Sequence, residues 1–329
     1  MDWTNLIISI VVLLGVGYLY DKFKVHVEKQ EKNKDLDLIK KYLLGDSDDS
    51  EIHDLGSIKK PILWLHIEYN INSRNWCNFG SRSNMELNMP YIYLTIQSII
   101  NHCGDDFHVC IIDDLSFKKI LPDYDVNLTH VADPIRSHLR NLALMKVLYT
   151  YGGVLMENSF ICLKNIKPLY ENVLLTNQPI IGEFENEANS NALVEFMPST
   201  KFIGCVKECP VINDLINYLE KLNNNDFTSQ QAFNGNINLQ LYNYVKNNKI
   251  KLVLGEIIGT KINNKSIPLD KLLTNDTLNL PAETFMLYIP RDVILKRTNY
   301  NWVVRMSPEQ ILTSNTNLGK YLLLSNNFK

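Results

Sequence analysis

Residues 148–164 read Leu-Tyr-Thr-Tyr-Gly-Gly-Val-Leu-Met-Glu-Asn-Ser-Phe-Ile-Cys-Leu-Lys, and this stretch decides the fold of the 329-residue chain. A long segment, residues 134–151, runs into the glycine pair, and an apolar run with one acid, Glu157, follows at once. Glycine ends helices readily because it accepts positive φ angles. The stretch therefore predicts a helix over 134–151 that turns directly into a strand over 153–163.

The alternation of strands and helices continues towards the amino terminus. Apolar runs at 61–68 and 107–114 predict buried strands, and the amphipathic segment 91–103 predicts a helix between them. Such alternation indicates an α/β domain with a mostly parallel sheet flanked by helices. Ligands of these sheets bind beyond the carboxyl ends of the strands. The polar residues expected at that edge are Asp113, Asp114 and the run Glu157-Asn158-Ser159.

The second half of the chain gives weaker signals. Residues 211–222 and 239–246 predict helices, and residues 263–281 predict a loop. The run Ser-Pro-Glu-Gln at 307–310 predicts a helix start, with a serine cap and proline at the first position. Neither an internal repeat nor a second autonomous domain is indicated, so one folded domain is expected over 58–329.

The composition is that of an ordinary globular protein and gives no reason to expect a nucleic-acid partner. Hydrophobic residues make up 45% and charged residues 21% of the chain, and the formal net charge is -3. No lysine- and arginine-rich block forms a surface that would track phosphates. The six cysteines are scattered through apolar segments rather than spaced as a disulfide framework, which favours buried thiols in a reducing compartment.

An uncharged segment at residues 3–20 predicts a single-pass membrane anchor, with a buried soluble helix as the alternative. As a helix its eighteen residues span about 27 Å, close to the apolar thickness of a bilayer. A tryptophan and two tyrosines lie near its ends, where interfacial aromatic residues are common. A charged juxtamembrane helix and an acidic linker are expected over residues 21–57.

The charges that flank the anchor predict its orientation. Five lysines lie between residues 22 and 34, whereas only the amino terminus is positive on the other side. The positive-inside rule therefore places the folded domain in the cytosol. Three glycosylation sequons, at Asn127, Asn264 and Asn275, would favour the lumen, but such triplets arise easily by chance in an asparagine-rich chain.

The block from residue 61 to residue 169 resembles the sugar-binding region of GT-A glycosyltransferases, specifically the capsular-polysaccharide-synthesis and DXD sugar-transfer groups. Those groups carry Ser-Asp-x-x-Arg, then Leu-Tyr-x-Tyr-Gly-Gly, then Asp-x-Asp or Asp-x-Thr after three further residues. The best match is the run Leu-Tyr-Thr-Tyr-Gly-Gly at 148–153. Similar genes occur in large DNA viruses, which fits the abundance of asparagine and lysine.

The resemblance implies a nucleotide-sugar site that uses Mn²⁺ or Mg²⁺. In the family the cation neutralises the departing nucleoside diphosphate, and the aspartates of the DXD motif hold it. Here the motif is degenerate, because Glu157 stands at the first acidic position and Ser159 at the second. Glu157 is thus the implied metal ligand. Gly152 and Gly153 would let the backbone pass close to the sugar.

The Ser-Asp-x-x-Arg element of the family falls on residues 140–144, and its key residues are replaced. Asn141 stands where the family has the aspartate that contacts the nucleoside, and Leu144 stands where it has an arginine. Arg140 lies one helical turn before Leu144 on the same face. Arg140 or Lys146 would therefore be able to neutralise a diphosphate without a metal.

Two functions of different classes remain open on this sequence. One is an active, membrane-anchored glycosyltransferase that moves a sugar from a nucleotide-sugar donor to a glycan or protein acceptor. The other is an inactive GT-A-derived protein with a structural or membrane-tethering role, for example in a virion membrane. The candidate residues have plain alternatives too, since Asp113-Asp114 can serve as a strand cap and Glu157 as a solvated acid. Nucleotide binding discriminates between the two functions.

Overall fold

The computed structural model describes residues 42, 60–68, 91–121, 124–186, 194–225, 230–296, 298–300, 302–303 and 306–326. The predicted anchor at 3–20 lies outside the described residues, as does the segment 21–57 except for Tyr42. Within the described ranges no helix is long and apolar enough to cross a membrane.

A mixed sheet forms the centre of the folded domain. The strands are β1 (Ile62–His66), β2 (His108–Ile112), β3 (Gly153–Glu157), β4 (Phe160–Cys162), β5 (Ile180–Glu185), β6 (Phe196–Cys205), β7 (Lys251–Val253), β8 (Lys261–Ile262), β9 (Lys265–Ser266) and β10 (Met286–Tyr288). Six of these strands, among the described residues, form the main sheet in the order β2-β1-β3-β6-β5-β7. β1 pairs in parallel with β2 and β3, and β5 pairs in parallel with β7. β6 is antiparallel to both of its neighbours. Three of the five strand pairs in the described sheet are therefore parallel, which confirms the expected mostly parallel sheet.

Helices flank this sheet. They are α1 (Tyr91–Cys103), α2 (Ser116–Ile120), α3 (Ile135–Tyr151), α4 (Lys167–Thr176), α5 (Pro210–Asn223), α6 (Gln230–Lys246), α7 (Gly255–Ile258), α8 (Leu269–Leu273), α9 (Arg291–Lys296), α10 (Pro308–Leu312) and α11 (Asn317–Asn326). Short 3-10 helices cover Leu128–His130 and Thr298–Tyr300. One face of the sheet packs against α3, α5 and α6. The buried cluster on that face includes Trp64, Leu155, Ile203, Met145, Leu215 and Phe233.

The predicted helices at 91–103 and 134–151 are confirmed, but the predicted strand at 153–163 is wrong in part. It divides into β3 and β4 at a turn formed by Asn158 and Ser159. β4 leaves the main sheet and pairs antiparallel with β10. The turn is held from α1, where Thr95 Oγ1 donates to the Asn158 carbonyl at 2.6 Å. An apolar run carries no sign of such a contact, and so it predicts one continuous strand.

In the second half, two predictions need correction and two are confirmed, since the helix predicted at 211–222 is present as α5. Helix α6 begins nine positions before the predicted start at residue 239, because Phe233, Ile237 and Leu241 form a buried stripe within an asparagine-rich sequence. The predicted loop at 263–281 contains β9 and α8. The predicted cap at Ser307 is present, since the backbone N–H of Gln310 donates to Ser307 Oγ at 3.2 Å.

Candidate functional site

A cavity of about 490 Å³ opens at the carboxyl edge of the parallel strands. We call it the edge cavity. The ends of β1 and β3 form its floor, and the first turns of α3 and α6 form one wall. Residues of β6 and the first residues of α9 complete it. The expectation that a binding crevice lies beyond the carboxyl ends of the strands fits this position.

One wall of the edge cavity is a compact ion-pair network around Arg140. The guanidinium donates from Nε and Nη2 to the two carboxylate oxygens of Asp114, at 2.7 and 2.6 Å. Its Nη1 donates to Glu68 Oε1 at 2.9 Å. His66 Nε2 donates to Asp114 Oδ1 at 3.0 Å. Bidentate pairing of this kind is strong and fixes both partners, so Arg140 is held in place by the protein itself.

The network sets the charge states of its members. Burial alone would raise the pKa of Asp114, but hydrogen bonds from Arg140 and His66 outweigh it and hold that pKa well below its usual range. Burial would lower the pKa of Arg140, yet Asp114 and Glu68 raise it above its ordinary value. Both groups therefore stay charged at neutral pH.

Glu157 ends β3 and faces a second arginine. Tyr288 donates its hydroxyl to Glu157 Oε2 at 3.3 Å, and Arg291 Nε lies 3.9 Å from Glu157 Oε1. Arg291 also reaches Glu68 Oε1 from Nη2, at 3.5 Å. Burial would lower the pKa of Arg291, but the charges of Glu68 and Glu157 raise it. Arg291 thus bridges the carboxylates that follow β1 and β3.

Lys201 brings a third cation to the edge cavity from β6. Its Nζ donates to the Tyr288 hydroxyl at 2.9 Å and lies 5.3 Å from the centre of the Tyr288 ring and 5.8 Å from that of Phe184. The aromatic rings attract the ammonium group through their π faces. Lys201 is therefore positioned beside the same tyrosine that contacts Glu157.

The two adjacent aspartates, Asp113 and Asp114, have different hydrogen-bond partners in the structure. Asp113 is buried, and its Oδ1 accepts hydrogen bonds from the backbone N–H groups of Leu115 and Ser116 at 3.1 and 2.8 Å and from Ser116 Oγ at 2.6 Å. It secures the start of α2 and does not line the edge cavity. Asp114 also lies outside the lining of the edge cavity, and it pairs with Arg140, which does line it.

Ser159 and the glycine pair lie away from the edge cavity, in contrast to what the sequence suggested. Ser159 is buried, donates to the Ile289 carbonyl at 2.7 Å and lies 3.3 Å from the Tyr91 hydroxyl. Gly152 ends α3 and Gly153 begins β3, at the opposite end of the strand from Glu157. Their function is to join α3 tightly to β3.

Asn141 and Lys146, both on α3, differ in position. Asn141 lines the edge cavity. Lys146 does not line it and pairs with Glu220 at 2.7 Å. Lys146 therefore lies outside the edge cavity, paired with a carboxylate of α5.

The residues at the end of β3 do not fit the expected Mn²⁺ or Mg²⁺ site. A hard divalent cation needs several oxygen ligands, but Ser159 is buried in other hydrogen bonds and Glu157 faces Arg291. In the part of the chain that the structure describes, no group of three histidine, cysteine, aspartate or glutamate residues is arranged to hold a metal.

Sequence reasoning missed several residues of the edge cavity. His66 ends β1 and Glu68 follows it, so the strand-end rule that picked out Asp114 and Glu157 would have found them too. Lys201 and Arg291 carried no signal, because β6 and α9 were not predicted. Only the tertiary fold brings these two cations to Glu157.

In comparisons with known proteins, 13 chains of solved structures match this chain. No protein-family model matches the chain, and no curated protein sequence does. Among solved structures the chain is similar to one described as PaToxG glycosyltransferase, at 12% sequence identity and a TM-score of 0.34. The similarity covers 65% of this chain and 78% of the other.

Proposed function

We propose that the protein is a glycosyltransferase that takes a sugar from a nucleotide-sugar donor and transfers it to a glycan or protein acceptor in the edge cavity. The observation that carries this proposal is the meeting of the carboxylates Glu68 and Glu157 with the cations Lys201 and Arg291 at one sheet edge. The predicted anchor at 3–20 would hold the domain at a membrane, on the cytosolic side.

The chemistry of the donor matches both kinds of charge. Carboxylates accept hydrogen bonds from sugar hydroxyls, and cations bind the phosphate oxygens. When the glycosidic bond breaks, the nucleoside diphosphate departs with concentrated negative charge, and a fixed cation beside it lowers the barrier. The cavity volume of about 490 Å³ lies in the range of small-molecule sites.

The sequence resemblance agrees with this position of the site. The run Leu-Tyr-Thr-Tyr-Gly-Gly joins α3 to β3, and these two elements supply Arg140 and Glu157. Because α3 ends at the amino end of β3, its first turns lie near the carboxyl edge. The stretch that best resembles the sugar-transfer groups is thus the junction between the helix and the strand that supply one wall and part of the floor of the edge cavity.

The test is calorimetric titration of the full-length protein with UDP- and GDP-sugars, followed by measurement of nucleotide release in the presence of candidate acceptors. We expect binding of a nucleotide sugar, and slower release in a Glu157→Gln variant by a factor on the order of a hundred to a thousand. Glu171→Gln is the control, since Glu171 is an exposed acid on α4. Failure of every nucleotide and nucleotide sugar to bind would favour the structural, inactive protein instead.

A further inference from the structure

We infer that Arg291 and Lys201 bind the diphosphate of the donor without a divalent cation. This inference rests on the proposed function and specifies how the edge cavity holds its substrate. The ligand chemistry is a pair of linked phosphates, whether part of a nucleotide or free as pyrophosphate. Three features of the site support it, namely the unused donors of Arg291, the position of Lys201 and the poor fit of a metal.

The first feature is the contrast between the two arginines of the site. Arg140 makes three hydrogen bonds of 2.6 to 2.9 Å to carboxylates. Arg291 makes one, at 3.5 Å to Glu68, and its buried Nε has no hydrogen-bond partner among the described residues. A guanidinium has five N–H donors. A buried arginine with so few donors used is suited to a ligand that brings its own oxygen atoms.

The second feature is the chain of contacts that connects the two cations. Lys201 donates to the Tyr288 hydroxyl, which donates to Glu157, and Glu157 lies within 3.9 Å of Arg291. The tyrosine and the glutamate therefore lie between the ammonium group and the guanidinium. Both cations line the edge cavity. A ligand with two phosphates offers one group to each of two cations held apart in this way.

The third feature is the state of the residues where a metal would be expected. Glu157 is the single carboxylate kept from the acidic motif, and Arg291 faces it at 3.9 Å. A guanidinium already supplies positive charge at that point. A divalent cation bound to Glu157 would have to approach this charge and would be repelled. Positive charge in the edge cavity thus comes from side chains.

The test measures the affinity of the full-length protein for UDP and for pyrophosphate, in EDTA and in Mn²⁺. We expect UDP to bind equally well in both buffers. Arg291→Gln and Lys201→Gln should each weaken binding in EDTA by about tenfold to a hundredfold, the usual effect of losing a hydrogen bond to a charged group. Arg291→Lys keeps the positive charge but loses the planar set of N–H donors. Its affinity for UDP should therefore lie between those of wild type and Arg291→Gln.

Lys249→Gln is the matched control. Lys249 also lies over a tyrosine ring, 5.4 Å from the centre of Tyr244, but it lies outside the edge cavity. Its replacement should leave UDP binding unchanged. If Arg291→Gln fails to fold, as shown by loss of its thermal transition, the affinity of Lys201→Gln for UDP decides the test.

The outcomes separate this inference from the proposed function. UDP binding that requires Mn²⁺ would overturn the metal-free site and leave the glycosyltransferase proposal standing. Lys201 and Arg291 variants that bind UDP as tightly as wild type would likewise overturn the metal-free site and leave the glycosyltransferase proposal standing. Equal affinity for pyrophosphate and UDP would support the phosphate site and count against recognition of a nucleoside. No binding of either compound would overturn both proposals.

Discussion

Two arginines share the carboxyl edge of the sheet, and their hydrogen bonds assign them different roles. Arg140 is 8% exposed, and three of its five N–H donors are taken by Asp114 and Glu68. It positions the wall of the edge cavity. Arg291 keeps most of its donors unused, and so it is the arginine available to a ligand. The number of donors in use, rather than the presence of charge, distinguishes a supporting residue from a binding residue here.

The Asp114–Arg140 pair should make a large contribution to stability. In an Asp114→Asn variant the buried guanidinium would lose its main counter-charge, and we expect the free energy of unfolding to fall by about 3 kcal/mol at pH 7. Urea denaturation measures this loss. Asp106→Asn is the control. Asp106 pairs with the half-exposed Lys167, so this substitution should lower the free energy of unfolding far less.

The difference in the free energy of unfolding between wild type and Asp114→Asn should depend on pH in a definite direction. The pKa of Asp114 is depressed in the folded state, so the unfolded chain binds more protons in the range between the folded and unfolded values. The contribution is fully present above the unfolded pKa of about 3.9 and is lost as the pH falls below it. The stability gap between wild type and Asp114→Asn should therefore narrow as the pH is lowered from about 5 to 3. A constant or widening gap would contradict the assignment.

Sequence alone could not decide between Asp113 and Asp114. Both end the same apolar run, and an aspartate can serve either as a cap or as a ligand-binding residue. The decision depends on partners at different distances along the chain. Asp113 bonds to Ser116, three residues away, whereas Asp114 bonds to Arg140, twenty-six residues away. Local pattern reasoning can anticipate the first contact but not the second.

At the scale of elements, the junction of α3 and β3 sets the position of Glu157. Gly152 has a φ of 69° and Gly153 a φ of 97°, both in the region that favours glycine. The Gly152 carbonyl accepts a hydrogen bond from Trp64 Nε1 at 2.9 Å. Since the helix passes into the strand with no intervening loop, a shift at the glycine pair would be transmitted along β3 to Glu157.

A side chain at Gly153 should be poorly tolerated. A Cβ atom there would lie 2.2 Å from the Ile62 carbonyl oxygen, in addition to the strain of positive φ. We expect Gly153→Ala to reduce the free energy of unfolding by about 4 kcal/mol or more. Thermal and urea denaturation test this.

Gly204→Ala, in the same sheet, is the matched control for this variant. Its new Cβ would meet the side chains of Ile180 and Val154 at 3.2 and 3.3 Å, and side chains can move. The expected loss is about 1–2 kcal/mol. Equal losses in the two variants would show that the close approach of Gly153 to β1 is not important.

The elements themselves were largely predictable where a single periodicity holds. Helix α1 was predicted with its observed bounds, and α3 within one residue, because their apolar positions recur at helical spacing. The break between β3 and β4 could not be seen, because hydroxyl groups of α1 fix it. Ser98 Oγ, for example, accepts a hydrogen bond from the backbone N–H of Cys162 at 2.9 Å.

At the scale of the whole molecule, the edge cavity joins residues that are far apart in the sequence. Glu68 and Arg291, which meet at 3.5 Å, are separated by 223 positions. Motif reasoning reached Glu157 because the glycine pair lies close to it in sequence. It could not reach Lys201 or Arg291, because neither lies near a recognisable motif. The carboxylates of the candidate site were predictable in type, whereas most of its cations were not.

The surface of the molecule offers a test of the proposed orientation at a membrane. The asparagines of the three sequons, Asn127, Asn264 and Asn275, are all exposed in the folded domain. They would be accessible to the glycosylation machinery if the domain entered the secretory pathway. The five described cysteines are free and buried.

The full-length protein, made in animal cells, should therefore show no change in electrophoretic mobility on treatment with an endoglycosidase that removes N-glycans. This result is expected if, as we predict from the lysines after the anchor, the domain lies in the cytosol, where its sequons are not modified. A variant with Lys22, Lys24, Lys29, Lys32 and Lys34 replaced by glutamine loses this charge bias, and part of it should enter the lumen and gain glycans. That fraction shows that the sequons can be used. A mobility shift in the unaltered protein would instead place the domain in the lumen, and a donor made in the cytosol would then have to cross the membrane before the edge cavity could bind it.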